Sequence, residues 1–287
     1  MIELKNEWLT AVVNPLGAEL QKLTGSNGLE YLWNGNSAYW GKFSPVLFPV
    51  VGTLVGNRYQ YKGQWYSLPR HGFAREQIFA LSQYTPAEAT FTLTQTPQSL
   101  QVYPFAFTLQ LQYTLVKDTL QVVYNVLNTG EETLYFSIGG HPAFAVPNLP
   151  NTTYTDYYLA FNQPEPLHRY LLQDGLLRRE AVPVTAPGGQ LPLHPDLFAQ
   201  DALVLKHLQS TQVSLLCRKH PHGIDFNFQG FPYLGLWAAP QAPFVCIEPW
   251  CGHADEVAHN GDITAKAGIE MLAPGMAWQR SWWVQCF

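Results

Sequence analysis

The chain has 287 residues, 47% of them hydrophobic and only 13% charged, which is enough apolar material for a large core in one all-β domain spanning 1–287. Its net charge of −5 and pI near 6.0 argue against nucleic acid or an anionic membrane surface as a partner, because either would call for a basic face.

In chain order, Met1-Ile2-Glu3-Leu4-Lys5 lacks the basic-then-apolar layout of a secretory signal. Leu9 to Val13 reads as the first strand. The longest apolar stretch, Pro45 to Val55, is broken by Pro49 and is too short to span a bilayer. Tyr59-Gln60-Tyr61, Lys62-Gly63 and Gln64-Trp65-Tyr66 read as a hairpin, with Gly63 supplying the turn conformation. Thr90 to Gln95 follows as a strand. Phe107, Leu109, Leu111, Tyr113 and Leu115 then alternate with polar residues. After the turn Lys117-Asp118 the alternation resumes through Leu120, Val122, Tyr124 and Val126. Such period-two patterning predicts two strands with one buried face each. Further strands are expected at Leu134 to Ile138, Val213 to Leu216, Ile224 to Phe228, Phe244 to Ile247 and Trp278 to Gln285. Pro195 to Gln200 fits one short helical turn. Asn148 to Pro195 has the weakest pattern and reads as long loops or an excursion off the sheet. Strands following strands without helices between them predict a large antiparallel β-sandwich.

Three motifs stand where strands are expected to give way to loops: Arg70-His71-Gly72-Phe73-Ala74-Arg75, Gly139-Gly140-His141-Pro142-Ala143-Phe144 and Ile247-Glu248-Pro249-Trp250-Cys251-Gly252. Glu248 closes an apolar run, so its carboxylate must be hydrogen-bonded, charge-paired or open to a cleft. A salt-bridged strand-end glutamate is the ordinary reading. Pro249-Trp250 and Gly252-His253 directly after it instead suggest a rigid aromatic pocket, where partial burial raises the pKa and makes a better base. The glycines and proline around His141 suit a backbone that turns sharply to present one side chain, and a turn-capping histidine fits equally. His71 between two arginines is ordinary for an exposed loop, as is Arg58 at the head of a strand. Asp201 and Trp237 carry no independent signal.

Other chemistries lack their marks. His220-Pro221-His222 with His253 and His259 matches no zinc spacing, and an exposed loop explains it more simply. Cys217, Cys246, Cys251 and Cys286 show no metal-type pairing, so reduced thiols in a cytoplasmic protein are expected. No Gly-x-Ser-x-Gly elbow, phosphate loop or dinucleotide fingerprint is present. A glycosidase would need a second enclosed acid, and Asp225 is an ordinary candidate.

Taken together, Asn14-Pro15-Leu16-Gly17-Ala18-Glu19-Leu20, Phe48-Pro49-Val50-Val51-Gly52, His71-Gly72-Phe73-Ala74-Arg75, Gly140-His141-Pro142-Ala143-Phe144 and Cys246-Ile247-Glu248-Pro249-Trp250 resemble the aldose 1-epimerase (galactose mutarotase-like) family over essentially the whole chain. The likeness is to its shorter, LacX-like bacterial branch. The resemblance implies a supersandwich whose concave face binds a hexose. It implies Glu248 as the base that takes the anomeric proton and His141 as the acid that protonates the ring oxygen. His71, Arg58 and Asp201 would bind sugar, with Trp237 and Arg75 as further binding candidates. An upward pKa shift from Glu248 would keep His141 protonated. No metal or organic cofactor is implied, and the chain is expected as a monomer or homodimer with a small-molecule sugar as its partner.

Departures from typical galactose mutarotases are plain. Gly140 stands where they carry Asn before the acid histidine, Pro142-Ala143-Phe144 replaces a Tyr-Phe-Asn block, and Gly52-Thr53 replaces a Gly-Arg pair, so galactose preference does not follow. A hexose 6-phosphate is an alternative substrate, for which Arg75 is a candidate ligand. Two other readings are a carbohydrate-binding or sensing protein with little catalysis, and a sugar lyase or hydrolase on a similar sandwich.

Overall fold

A computed structural model describes residues 1–287. Two large antiparallel sheets dominate it. The first runs, in spatial order, Gln190–Pro192, Tyr157–Phe161, Gln212–Cys217, His220–Asn227, Ala277–Cys286, Thr119–Asn128, Phe107–Val116, Glu88–Thr94 and Ala80–Thr85. The second runs Leu176–Val184, Leu167–Gln173, Leu203–Lys206, Tyr233–Trp237, Phe244–Cys251, Ile138–Gly140 and Val46–Leu47, with Ala143–Ala145 also paired to Phe244–Cys251. The chain is therefore the antiparallel β-sandwich expected. No helix is long and apolar enough to cross a membrane.

The two sheets owe their positions to different burial. In Phe107–Val116 buried and part-exposed residues alternate, as a strand with one face on the core and one near water should. Every residue of Phe244–Cys251 is buried. One face of this strand joins the main core through Val245 and Ile247. The other carries Trp250, which packs with Leu47, Val51, Leu177 and Val204 in a second cluster.

Glycines let the layers close. A side chain on Gly140 would come within 2.7 Å of the Tyr124 hydroxyl and 3.2 Å of Trp282 Nε1, two first-sheet residues joined by a 2.8 Å hydrogen bond donated by the indole. On the opposite face, Gly139 and Gly235 leave room for the Trp250 indole, which any Cβ there would meet at 2.6 and 2.4 Å. Gly139-Gly140 is thus strand backbone thinned on both faces. The sharp turn expected there is not its role.

Three other expectations change. The weakly patterned Asn148–Pro195 holds four strands, and two of them form the outermost hairpin of the second sheet. Leu176–Val184 there is largely exposed, which is why it lacks a buried period-two signal. The helical turn expected at Pro195–Gln200 is an unbroken run of overlapping hydrogen-bonded turns without a helix. The α-helix lies at Pro97–Val102, where Thr96 accepts from the Ser99 backbone and Ser99 from the Thr96 backbone, a reciprocal cap with proline in the first turn.

Candidate functional site

A cavity of about 260 Å³ opens on the face of the second sheet that points away from the sandwich core. At ~30 Å³ per water it has room for about nine waters, a space suited to one small polar molecule. Glu248, His141, His71, Asp201, Trp237 and Arg75 all line it, joined by Trp40, Arg70, Trp250 and His253.

Glu248 lies inside its strand, opposite Gly235 on the neighbouring one, not at a strand end as expected. Side chains two apart share a face, so Trp250 stands beside it. Only 1% of Glu248 is exposed. Burial raises the carboxyl well above its ordinary pKa and Asp201 adds to the rise, while the Arg70 charge and the Trp250 N–H oppose it. The indole and carboxylate approach without a hydrogen bond of ordinary geometry, since Trp250 Nε1 and Glu248 Oε2 both lack partners.

His141 follows Ile138–Gly140 and is anchored by its backbone N–H, which donates to the Pro45 carbonyl at 3.1 Å. Its Nε2 lies 3.3 Å from Glu248 Oε2. The ring stacks on Trp40 with centroids 4.8 Å apart and meets Trp237 edge-on. Burial in this aromatic box pushes its pKa down to about 3, aided by the charges of Arg70 and Arg75. A neutral imidazole therefore replaces the protonated His141 expected from the sequence. Desolvation outweighs the neighbouring carboxyl because that carboxyl is itself driven toward its neutral form.

His71 is buried, not the exposed loop residue its setting suggested. It has φ 68° and Gly72 has φ 70°. Two consecutive left-handed residues reverse the chain, and glycine is required at the second because a Cβ would lie 2.3 Å from the Phe48 carbonyl oxygen. Gly52 N–H approaches His71 Nδ1 at 3.1 Å and Arg70 Nε approaches Nε2 at 3.2 Å. A neutral imidazole has one lone pair to give, so only one donor is satisfied at a time. A ligand acceptor at Nε2 would settle the tautomer in favour of the Gly52 bond.

Arginine placement differs from expectation. Arg58 is exposed and covers the Trp65 ring at 4.5 Å, on the small Arg58–Tyr61 hairpin and not on the cavity wall. The hairpin is not paired with either large sheet, and the cavity is lined without Arg58. Arg70 and Arg75 line the cavity instead, with Arg75 Nη2 donating to the Arg70 carbonyl at 2.9 Å. Adjacency to His71 was the available signal for Arg70. Trp40 had none, because it comes from an irregular segment far away in sequence.

Asp201 takes φ 71°, a conformation aspartate tolerates, and its Oδ1 accepts from Ala202 N–H at 2.8 Å. Across the cavity, His253 directs Nδ1 at the Ala254 carbonyl, 2.7 Å away, which leaves Nε2 to accept from Lys206 Nζ at 3.2 Å. Burial and then the Lys206 charge push His253 down to about 4. A buried pair, Lys266 Nζ to Asp255 Oδ1 at 2.8 Å, pins this segment, with Lys266 also donating to the His253 carbonyl.

The family model for aldose 1-epimerase matches residues 1–268. Over 283 residues the chain is 32% identical to protein LacX of Lactococcus lactis subsp. lactis, covering 95% of each. The structure of a galactose mutarotase related enzyme from Lactobacillus acidophilus superposes with a TM-score of 0.96 at 32% identity, covering 100% of this chain and 97% of the other. A galactose mutarotase-like protein from Lactobacillus casei ATCC 334 gives 0.95 at 30% identity, with 100% of both chains covered.

Proposed function

The chain belongs to the aldose 1-epimerase family of isomerases, and on that premise we propose that it interconverts the α and β anomers of a hexose or related sugar by opening the ring, with Glu248 as base and His141 as acid. The observation that carries this reading is the 3.3 Å approach of His141 Nε2 to Glu248 Oε2 inside a cavity walled by Trp40 and Trp237. Aromatic faces suit the apolar C–H side of a sugar ring.

The reaction needs one group that accepts a proton and one that donates it. Burial alone favours the neutral form of the pair, with the proton on Glu248. Sugar hydroxyls entering the cavity hydrogen-bond the carboxylate and favour its charged form, so the proton passes to His141. Glu248 then removes the proton from O1 as His141 delivers one to O5, the C1–O5 bond breaks, and an aldehyde and a ring-opened hydroxyl result. Rotation about C1–C2 turns the other face of the aldehyde toward O5. Closure returns the O5 proton to His141 and a proton from Glu248 to O1, so the enzyme ends as it began. His71 Nε2–H is suited to a sugar oxygen, and Asp201 to hydroxyl protons.

Arg70 and Arg75 on the same wall favour a second substrate, a hexose 6-phosphate, whose charge they would offset. Polarimetry on freshly dissolved α-glucose, α-galactose and their 6-phosphates separates the two. Acceleration over buffer is expected for at least one, and none for any of the four would overturn the proposal.

A further inference from the structure

Cys246 precedes Glu248 by two residues on one strand and pairs with Ala143, two residues after His141. Its thiol therefore lies on the cavity side of the sheet, behind the two residues assigned to proton transfer, and takes no part in that relay. A ring nitrogen of His141, the Cys246 sulfur and a Glu248 carboxylate oxygen all lie within 4.8 Å of one another. All three residues are buried. Two of them carry buried polar atoms without any hydrogen-bond partner, His141 Nδ1 and Glu248 Oε2.

We propose that His141, Cys246 and Glu248 form a site for a borderline-soft divalent cation such as Zn²⁺, which competes with sugar and blocks the isomerase reversibly. One imidazole, one thiolate and one carboxylate form a mixed donor set of the kind Zn²⁺ takes, at about 2.0–2.3 Å. Tetrahedral contacts of that length put donors about 3.5 Å apart, so the site closes by roughly an ångström, within the reach of side-chain rotation. Three protein ligands leave a fourth position, and the cavity lies there. Thiolate and carboxylate offset the charge of the ion, and the thiol proton leaves to solvent as sulfur binds. The sulfur selects against Mg²⁺ and Ca²⁺, which take oxygen ligands. His220 and His222, stacked at 4.9 Å on an exposed strand end, are a competing surface site without sulfur, so the test must separate the two.

Cobalt(II) is the probe. Chelator-treated wild-type protein titrated with Co²⁺ is expected to show a thiolate-to-cobalt charge-transfer absorption that Zn²⁺ abolishes, and His222→Ala is expected to retain it. Cys246→Ala, and Cys246→Ser as a second variant should the first fold poorly, are expected to lose that absorption or, for serine, the sulfur contribution. Both are expected to bind Zn²⁺ at least about tenfold more weakly, the lower end of losses seen even for outer-shell partners. In chelator, Cys246→Ala is expected to isomerise sugar at the wild-type rate and to resist Zn²⁺. Absence of the charge-transfer band in wild type, or equal inhibition of wild type and Cys246→Ala by Zn²⁺, overturns the proposal. The absorption reads the site whether or not a sugar turns over, so the two proposals fail separately.

Discussion

The hairpin of Phe107–Val116 and Thr119–Asn128 and the strand Phe244–Cys251 are both rich in apolar residues, yet they treat polar groups in opposite ways. In the hairpin, buried residues alternate with part-exposed ones on both strands, so every Gln and Thr has water within reach. In Phe244–Cys251 all residues are buried, and Glu248, 1% exposed, meets only the cavity. The first arrangement holds the fold together while its Gln and Thr side chains stay near water. The second accepts a desolvated carboxyl beside a desolvated imidazole, and burial there reverses the ordinary order of their proton affinities. Chemistry sits where the alternation stops.

Glu248→Gln separates the two regions most sharply. It keeps the shape of the side chain and removes the proposed base, so the rate of mutarotation is expected to fall by about 10²–10⁴-fold, the range for lost general acid–base catalysis. Sugar affinity, followed by calorimetry, is expected to change far less. Stability is expected to hold or rise at neutral pH. Glu248 has a raised pKa in the fold, so its contribution is fully present below the unfolded value of ~4.3 and is lost as pH rises from there through the raised folded value. An unchanged rate would remove Glu248 from the chemistry, and a collapse of the thermal transition would make its role structural.

The converse change lies in the hairpin. Leu111 is 1% exposed in Phe107–Val116, and Leu111→Ala is expected to cost about 2–5 kcal/mol by lost burial and residual cavity. Urea unfolding measures this. Below the transition, the rate per folded molecule is expected to stay within about twofold, because only additivity at a distance connects the two sites. A large loss of turnover in still-folded protein would show that the two regions are coupled.

Arginine placement gives a smaller contrast. Arg70→Ala opens one wall of the cavity and is expected to raise KM by about tenfold, as loss of one charged hydrogen bond of ~1.5 kcal/mol would. Arg58→Ala is expected to leave both KM and kcat unchanged, since Arg58 covers Trp65 away from the site. Steady-state kinetics on the preferred sugar decides between them, and equal effects would return Arg58 to the binding set.

Legibility followed the same division. The hairpin could be read to within two residues because its period-two signal comes from one wet face. Phe244–Ile247 could be read as buried, but its end could not, because with both faces covered nothing in the sequence distinguishes Glu248 within a strand from Glu248 after one. His141 and His71 drew attention through their glycines, for reasons that proved different at each. Gly72 serves a left-handed turn, whereas Gly139 and Gly140 make room for Trp250, Tyr124 and Trp282. Trp40 was not legible as a site residue, since only the closing of the sheet brings it to the cavity, whereas His253 could be read as a wall of the Glu248 pocket from its place just after Trp250. The Leu167–Val184 hairpin was missed because an exposed outer hairpin needs no apolar alternation.

The subtlest difference between the regions is in the response to pH. A solvated histidine acting as acid would give a break in rate near its reference pKa of ~6.5. His141 is pushed down to about 3 and Glu248 is raised well above the usual carboxylate range. The pair therefore holds one proton across the interval between, and titrates as a unit. Adding a second proton removes the base only toward the acid end, and removing the single proton eliminates the acid only on the alkaline side. kcat/KM is expected to fall toward the acid end as His141 gains a second proton for the pair, and on the alkaline side only as the raised Glu248 gives up the single proton. A midpoint near ~6.5 for the His141 ring signals in an NMR pH titration of the free enzyme would mean that His141 titrates as a solvated side chain. Burial at Phe244–Cys251 would then not govern the proton, and the contrast with the hairpin would be one of packing alone.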